Sequence, residues 1–328
     1  MNRRDVCVGL LVGLSALPRF LLAQPRRVAR IGILGNLPRS NSFAASTWKP
    51  LYAELKARGW EEGRNLVVEA RYVEGHVEKY AIFSDELIAA RVEVIVATTS
   101  DAVDAARTAT RTIPIVMANV SHPVEAGYAA SLAHPGGNIT GVSNESPDLQ
   151  GKQFELLQSV RPDLKKLGVL WSPHNAGSAL AFRQMHVTAQ ERGVELVSLP
   201  VDASLDLGHA LEKAQREGVQ ALWVHGPPPI QAAHRQIVSW AIENHVMATS
   251  AFGFYTRGGL LWSYGAEAGD LLRIAGTFVD RILRGANPAE LPVEQPTRFF
   301  LVINLKTAKA IGVTIPQSVL LRADEVIE

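Results

Sequence analysis

The sequence predicts an α/β protein of two lobes, each built on a parallel sheet, with a ligand cleft between them. Three observations carry this. Short continuous apolar runs alternate with helical patterns along the chain. The alternation pauses at a glycine-rich turn, Pro135-Gly136-Gly137-Asn138, and then restarts. Hydroxyl, amide and aromatic residues collect where the apolar runs end. Continuous apolar strands belong to a sheet buried on both faces, and strands joined through helices run parallel.

Taken in order, residues 28–34 read as a strand and 43–58 as a helix. Residues 65–71 alternate like a strand, and 80–91 form an amphipathic helix. A short buried strand at 94–97 leads into a helix over 101–110, and 115–118 is the next strand. After the glycine turn comes 139–142. The second series gives strands at 167–171, 195–199, 221–224 and 246–248. Its helices fall at 176–192, 207–217 and 231–244. Residues 260–264, a helix at 270–283, a strand at 299–303 and a helix at 305–311 follow, placed to cross back between lobes. The predicted division is 28–145 plus about 256–290 for the first lobe, and 146–255 plus about 291–328 for the second. No low-complexity linker separates them.

The 328 residues are 47% hydrophobic and 20% charged, enough for two separate cores. Residues 1–23 are set apart. Arg3 and Arg4 precede a twelve-residue apolar run from Val6 to Leu17, and Ala23 offers a small exit residue. This is the pattern of a secretory signal peptide, too short for a membrane span of about 20 residues. The paired arginines suit the twin-arginine route of export. Removing the segment takes out Arg3, Arg4, Arg19 and Asp5 and moves the formal net charge from +1 to −1. No strong field then remains to attract nucleic acid or an anionic membrane. The sole cysteine, Cys7, leaves with the leader. The mature chain is therefore expected to have no disulfide, no thiol nucleophile and no stable membrane insertion.

Catalytic motifs are missing. There is no H-E-x-x-H, G-x-S-x-G or P-loop, and the glycines at 32–35 and 258–259 lack dinucleotide spacing. Nine histidines are scattered without metal-ligand spacing, so neither a metal nor a cofactor is expected. What does gather is polar chemistry at strand ends, where open α/β sheets bind ligands. In the first half these are Asn36, then Thr99 and Ser100, then Asn119, Ser121 and His122, then Asn144. In the second half they are Trp171, Asn175, Asp202, His225, Ser250 and Phe252, with Tyr264 beyond. Ser100 is the natural helix N-cap, favouring a ligand carboxylate. Trp171, Phe252 and Tyr264 are the stacking candidates. Caps and turns use such residues anyway, so the collective pattern carries the reading. Neutral hydrogen-bonding groups with aromatics suit capture of a small molecule.

The runs Ile113-Pro114-Ile115-Val116, Ser121-His122-Pro123-Val124, Pro135 to Asn138 and Thr140 to Ser143 resemble the substrate-binding protein family of ABC transporters that includes tryptophan- and tyrosine-binding members. The tail from Pro296 to Ile327, with Asn304-Leu305-Lys306-Thr307-Ala308-Lys309 and Leu320 to Val326, is similar to it as well. The resemblance implies the periplasmic-binding fold of type I, with Rossmann-like lobes, three crossovers and hinge closure. It further implies a monomer in the periplasm that hands its ligand to a permease and its ATPase. By position, Ser100 and Ser121 match hydroxyls that bind a carboxylate. His122 and Asn144 stand where relatives often carry Asp. That favours an acid, an amide or an aromatic without an amine. The alternative is that neutral His122 accepts from an amine or that Asp202 supplies the charge. Three other functional classes remain in view at this point. One is a sensor presenting its ligand to a membrane receptor. The others are a secreted α/β enzyme, which lacks its motifs, and a regulator, whose DNA-binding helices the leader would displace.

Overall fold

The computed structural model describes residues 27–38, 40–41, 45–145, 149–201 and 207–328, without the side chains of residues 45 and 46. The leader and Asp202 lie outside the described residues. Among those described, no helix is long and apolar enough to cross a membrane.

The first sheet takes its strands from the first half of the chain: β1 (Ala29–Gly35), β2 (Leu66–Tyr72), β3 (Val94–Ala97), β4 (Ile115–Val120) and β5 (Ile139–Ser143). They stand in the order β2-β1-β3-β4-β5 and every pair is parallel. The apolar runs explain the layering. Successive side chains point to opposite faces. Val94 and Val96 join a core with Ile31, Ile33 and Val116. Ile95 and Ala97 join another with Ile115 and Met117 on the far face. Helices α1 (Ala45–Ala57), α2 (Lys79–Ala89) and α3 (Ser100–Ala109) lie in the connections between these strands.

The second sheet repeats the scheme. Helix α4 (Leu149–Val160) leads to β6 (Lys166–Trp171), α5 (Ala176–Glu191), β7 (Glu195–Pro200), α6 (Leu207–Arg216) and β8 (Ala221–Val224). The single helix expected over 231–244 is two, α7 (Pro228–Ala232) and α8 (His234–Glu243). Prolines at the first positions of α7 start it early, and Ala233 leaves helical geometry between the pair. Then come β9 (Met247–Ser250), α9 (Gly253–Arg257) and β10 (Trp262–Gly265). The strand order is β12-β11-β10-β9-β8-β6-β7. It includes β11 (Phe300–Asn304) and β12 (Glu325–Ile327), with α11 (Leu305–Ile311) and α12 (Gln317–Leu320) between them. One pair departs from the parallel expectation: β10 and β11 are antiparallel.

The strand pairing corrects the expected lobe boundary. Residues 256–265 belong to the second lobe, because β10 hydrogen-bonds to β9 and β11. Only after Gly265 does the chain return. Helix α10 (Ala268–Leu283) buries Leu271, Leu272, Ala275, Phe278 and Val279 against Trp48, Leu51 and Leu55 of α1. Residues 291–294 also stay with the first lobe. Thr140 Oγ1 donates to the Leu291 carbonyl at 2.6 Å, and the Ser143 amide donates to the Glu294 carbonyl at 2.9 Å.

The described chain thus passes between lobes three times: after Glu145, after Gly265 and after Gln295. These passages are tied together. Gln295 Nε2 donates to the Glu145 carbonyl at 3.1 Å. At Gly265 a Cβ atom would lie 1.9 Å from the Ala251 carbonyl oxygen, so the passage admits no side chain there.

Candidate functional site

The strand ends of the two sheets face one another across the cleft, and three cavities lie between them. One of about 50 Å³ touches Ser100, Asn119, Ser121, Asn175, His225 and Phe252. One of about 70 Å³ extends past Asn36, Thr99, Trp48, Gln231 and Phe252. One of about 30 Å³ runs the other way, past Asn144, Glu145, Gln153, His225 and Phe252. Groups from both halves of the chain, remote in sequence, therefore share one space.

The first lobe builds its rim from residues that bond one another. Thr99, and not Ser100, caps α3: its Oγ1 accepts from the Ala102 amide at 3.1 Å. The extended backbone at Thr99 puts the capping oxygen in position and leaves Ser100 as the first helical residue, at the cavity. The register of β4 against β5 shifts between Ala118 and Val120, and Asn119 takes φ +65°. Asparagine tolerates that left-handed geometry. The bulge turns its side chain toward Asn144. Ser121 Oγ donates to Asn144 Oδ1 at 3.0 Å, and Asn144 Nδ2 donates to Asn119 Oδ1 at 3.0 Å.

The second lobe contributes fewer closed bonds. Asn175 caps α5, accepting from the Ser178 amide at 2.8 Å. His225 follows β8, and its buried Nε2 has no hydrogen-bond partner. Burial, with the nearby His122 adding to it, lowers its pKa to about 4, so the ring is neutral at pH 7. The Phe252 ring lies against Gly226 and stacks on Phe254 at 5.5 Å.

The lobes touch directly across this space. Asn175 Nδ2 donates to Asp101 Oδ2 at 2.8 Å. Asn36 Nδ2 donates to Gln231 Oε1, while Asn36 Oδ1 accepts from the Gly75 amide at 2.8 Å. A Cβ at Gly177 would lie 2.6 Å from Ser100 Oγ, so the approach of α5 to α3 requires glycine there. Burial raises the Asp101 pKa to about 6, although the Asn175 bond works against it.

Four expected site residues sit elsewhere. Trp171 stacks on Phe182 at 4.3 Å and donates from Nε1 to Ser198 Oγ at 2.9 Å, with its ring packed on the second lobe's core. Ser250 is fully buried and donates to the Val224 carbonyl at 2.8 Å, tying β9 to β8. Tyr264 packs near Phe299 at 6.1 Å and offers its carbonyl to Gln153 Nε2 at 2.9 Å. None of these three lines the cavities between the lobes. His122 takes φ +50° and turns to an outer groove. Its Nδ1 lies 3.3 Å from Gln184 Nε2. Its Nε2 lies 3.2 Å from Glu145 Oε2, at ion-pair distance but off the direction of a hydrogen bond.

Residues 45–327 match the family ABC transporter substrate binding protein. The chain belongs to that family. Its members, and the solved structures similar to this chain, are solute-binding proteins and not enzymes. A tyrosine-binding protein of Clostridioides difficile is 26% identical over 258 residues, which cover 78% of this chain and 74% of that protein. The structure of an ABC domain in complex with L-Trp from Streptococcus pneumoniae is 27% identical. It has a TM-score of 0.84 and covers 92% of this chain and 100% of that one. A conserved domain protein from Vibrio cholerae is similar at the same TM-score, with 26% identity and 92% and 100% coverage. The two-lobed α/β architecture is that of type I periplasmic binding proteins.

In this substrate-binding protein Glu145, Gln231 and Gly177 also border the cavities, and the sequence pattern does not single them out. Glu145 was visible as an acid directly after the strand that ends at Ser143. It lines a cavity between the lobes beside Asn144. Burial pushes its carboxyl up, while nearby His122 pulls it back. Gln231 carried no local signal, since its partner Asn36 is 195 positions away.

Proposed function

We propose that the protein captures a small amino-acid-like or aromatic molecule between its lobes in the periplasm and delivers it to an ABC importer. The observation carrying this reading is the central cavity, lined by hydroxyl and amide groups of both lobes and by His225, whose buried Nε2 has no hydrogen-bond partner among the described residues. A ligand carboxylate finds the starts of α3 and α5 and the Ser100 hydroxyl there. A ligand amine finds Glu145 in the adjoining space. His225, neutral, donates or accepts at its free nitrogen. The Phe252 ring provides the apolar wall. Among the described residues, no Lys or Arg lines the three cavities, which disfavours ligands of high negative charge.

The relatives support the ligand class through the L-Trp complex and the tyrosine-binding protein. The signal-like leader supports export. Capture works by differential affinity: a ligand bonded to both rims stabilises the closed arrangement over the open one. The test is thermal unfolding of residues 24–328 against a panel of amino acids, aromatic acids and small carboxylates. L-Tyr, L-Trp or a close analogue is expected to raise the melting temperature by mass action. No shift across the panel would remove the ligand class proposed.

A further inference from the structure

Phe252 has a position that its role as an apolar wall does not explain. It is common to all three cavities between the lobes. Their volumes, about 70, 50 and 30 Å³, are each less than half of the ~150 Å³ that accommodates a benzene molecule. Among the described residues, Phe252 alone borders all three. The polar rim of Ser100, Ser121 and His225 lies in one. Trp48 and Leu272 lie in another, and Glu145 and Gln153 in the third.

The ring's attachment fits a part that turns. Phe252 precedes the five-residue helix α9 in extended conformation, φ −111° and ψ 120°. Fixed points flank it on both sides. Ser250 is anchored to the Val224 carbonyl, and Tyr255 Oη donates to the His225 carbonyl at 3.3 Å. The ring itself makes no polar bond. Against Gly226 it packs so closely that a Cβ there would lie 2.6 Å from Cε2. A destination also exists. Phe252 borders an open groove of about 930 Å³ that runs past Phe254, Ala268 and Gln231.

We propose that Phe252 is a movable partition that sets the size of the ligand. Rotation of its side chain toward Phe254 and the open groove joins the three cavities into one chamber. That chamber carries hydrogen-bonding groups at its centre, apolar surface at one end and a carboxylate at the other. With the ring inward the cleft takes only molecules of a few heavy atoms. With the ring outward it takes one that bears an aromatic ring. The proposal rests on the cleft being the ligand site and adds what selects the ligand there.

The test compares the full mature chain with Phe252→Ala, Phe252→Leu and Phe252→Trp by thermal unfolding and calorimetry. Indole serves as a ring probe that needs no polar partner, and L-Trp, L-Tyr, L-Ala and glycine form the amino-acid set. Indole at about 2 mM is expected to stabilise Phe252→Ala by several degrees and the parent chain by much less. The preference for L-Trp over glycine rises at least tenfold in Phe252→Ala, less in Phe252→Leu, and falls at least tenfold in Phe252→Trp. If indole stabilises the alanine variant no more than the parent, no chamber lies behind the ring and the partition is overturned. Should the alanine variant fail to fold, the leucine and tryptophan variants decide through their opposite changes in preference, and equal affinities overturn the idea. Uptake of indole without any amino-acid response keeps the partition and removes the amino-acid ligand. Binding of L-Trp at one affinity in all four chains does the reverse.

Discussion

The two rims of the cleft are made differently. On the first lobe, Asn119, Ser121 and Asn144 bond in a chain before any ligand arrives, and Thr99 is committed to the α3 cap. On the second lobe, His225 keeps a buried nitrogen with no partner among the described residues, and the Phe252 ring is held only by packing. A bonded rim is fixed in shape, since each member orients the next. An unbonded rim holds an unmet demand that a ligand can satisfy. In the proposed capture, the first lobe would supply a template and the second the gain on closure.

The difference can be broken or sharpened by substitution. The largest expected effect lies behind the second rim. Trp171→Ala removes the ring stacked on Phe182 and is expected to cost about 3 kcal/mol in chemical denaturation. Ligand affinity should stay within about twofold by calorimetry, because the ring lines no cavity between the lobes. A lost ligand response in a folded variant would return Trp171 to the site. Next is Asn144→Leu, which strands Asn119 Oδ1 and the Ser121 hydroxyl together. A cost of about 2 kcal/mol and abolished ligand binding are expected. Retained binding would mean that the first rim is no template.

Titration gives a third contrast. Asp101, on the first lobe, has its pKa raised to about 6, mainly by burial. Its stabilising contribution is complete below the unfolded value near 3.8 and is lost as pH rises through 6. His225, on the second lobe, has its pKa lowered to about 4, again mainly by burial. Its contribution is complete above 6.5 and is lost as pH falls through 4. Between pH 4 and 6 the two slopes oppose each other. Asp101→Asn should leave a protein that loses up to about 1 kcal/mol per pH unit on acidification across that window. His225→Gln should leave one that gains on acidification. Denaturation curves at pH 4, 5, 6 and 7 check both, and parallel profiles for the two variants would contradict the contrast. The smallest effect is His225→Leu at pH 7. Removing an unmet polar nitrogen is expected to raise stability by about 1 kcal/mol while lowering ligand affinity about tenfold. A variant both less stable and equally tight in binding would mean that His225 serves the fold alone.

The fold was legible because its signal is local and repeated. Val94 to Ala97 is apolar at every position, and a strand buried on both faces requires that. The antiparallel β10–β11 pair was not legible, because no residue in Trp262–Gly265 marks the direction of a neighbour 37 positions later. The site was legible to the level of strand ends. Asn119, Ser121, Asn144, Asn175, His225 and Phe252 were reached by that rule, and so were Trp171, Ser250 and Tyr264, which face other layers. Which way a side chain turns after a strand depends on bulges such as that at Asn119, and composition does not encode them. The Thr99 cap displaced Ser100 by one residue for a similar reason. Adjacent hydroxyls are equal candidates until the backbone chooses which one is extended.

The bonds from Asn36 to Gln231 and from Asn175 to Asp101 join the lobes through protein groups alone. The bond between the neutral amides of Asn36 and Gln231 nets only about 1 kcal/mol, and one to an ionised group such as Asp101 about 1.5–3 kcal/mol. The weakness has a use at the level of a whole population. If these latches were much stronger, empty molecules would adopt the outline of loaded ones. Any partner that recognises the outline would then be occupied by copies carrying nothing. If the protein delivers its ligand as proposed, Asn36 and Asn175 set a background level of false deliveries, and strengthening either bond would trade fidelity for apparent affinity.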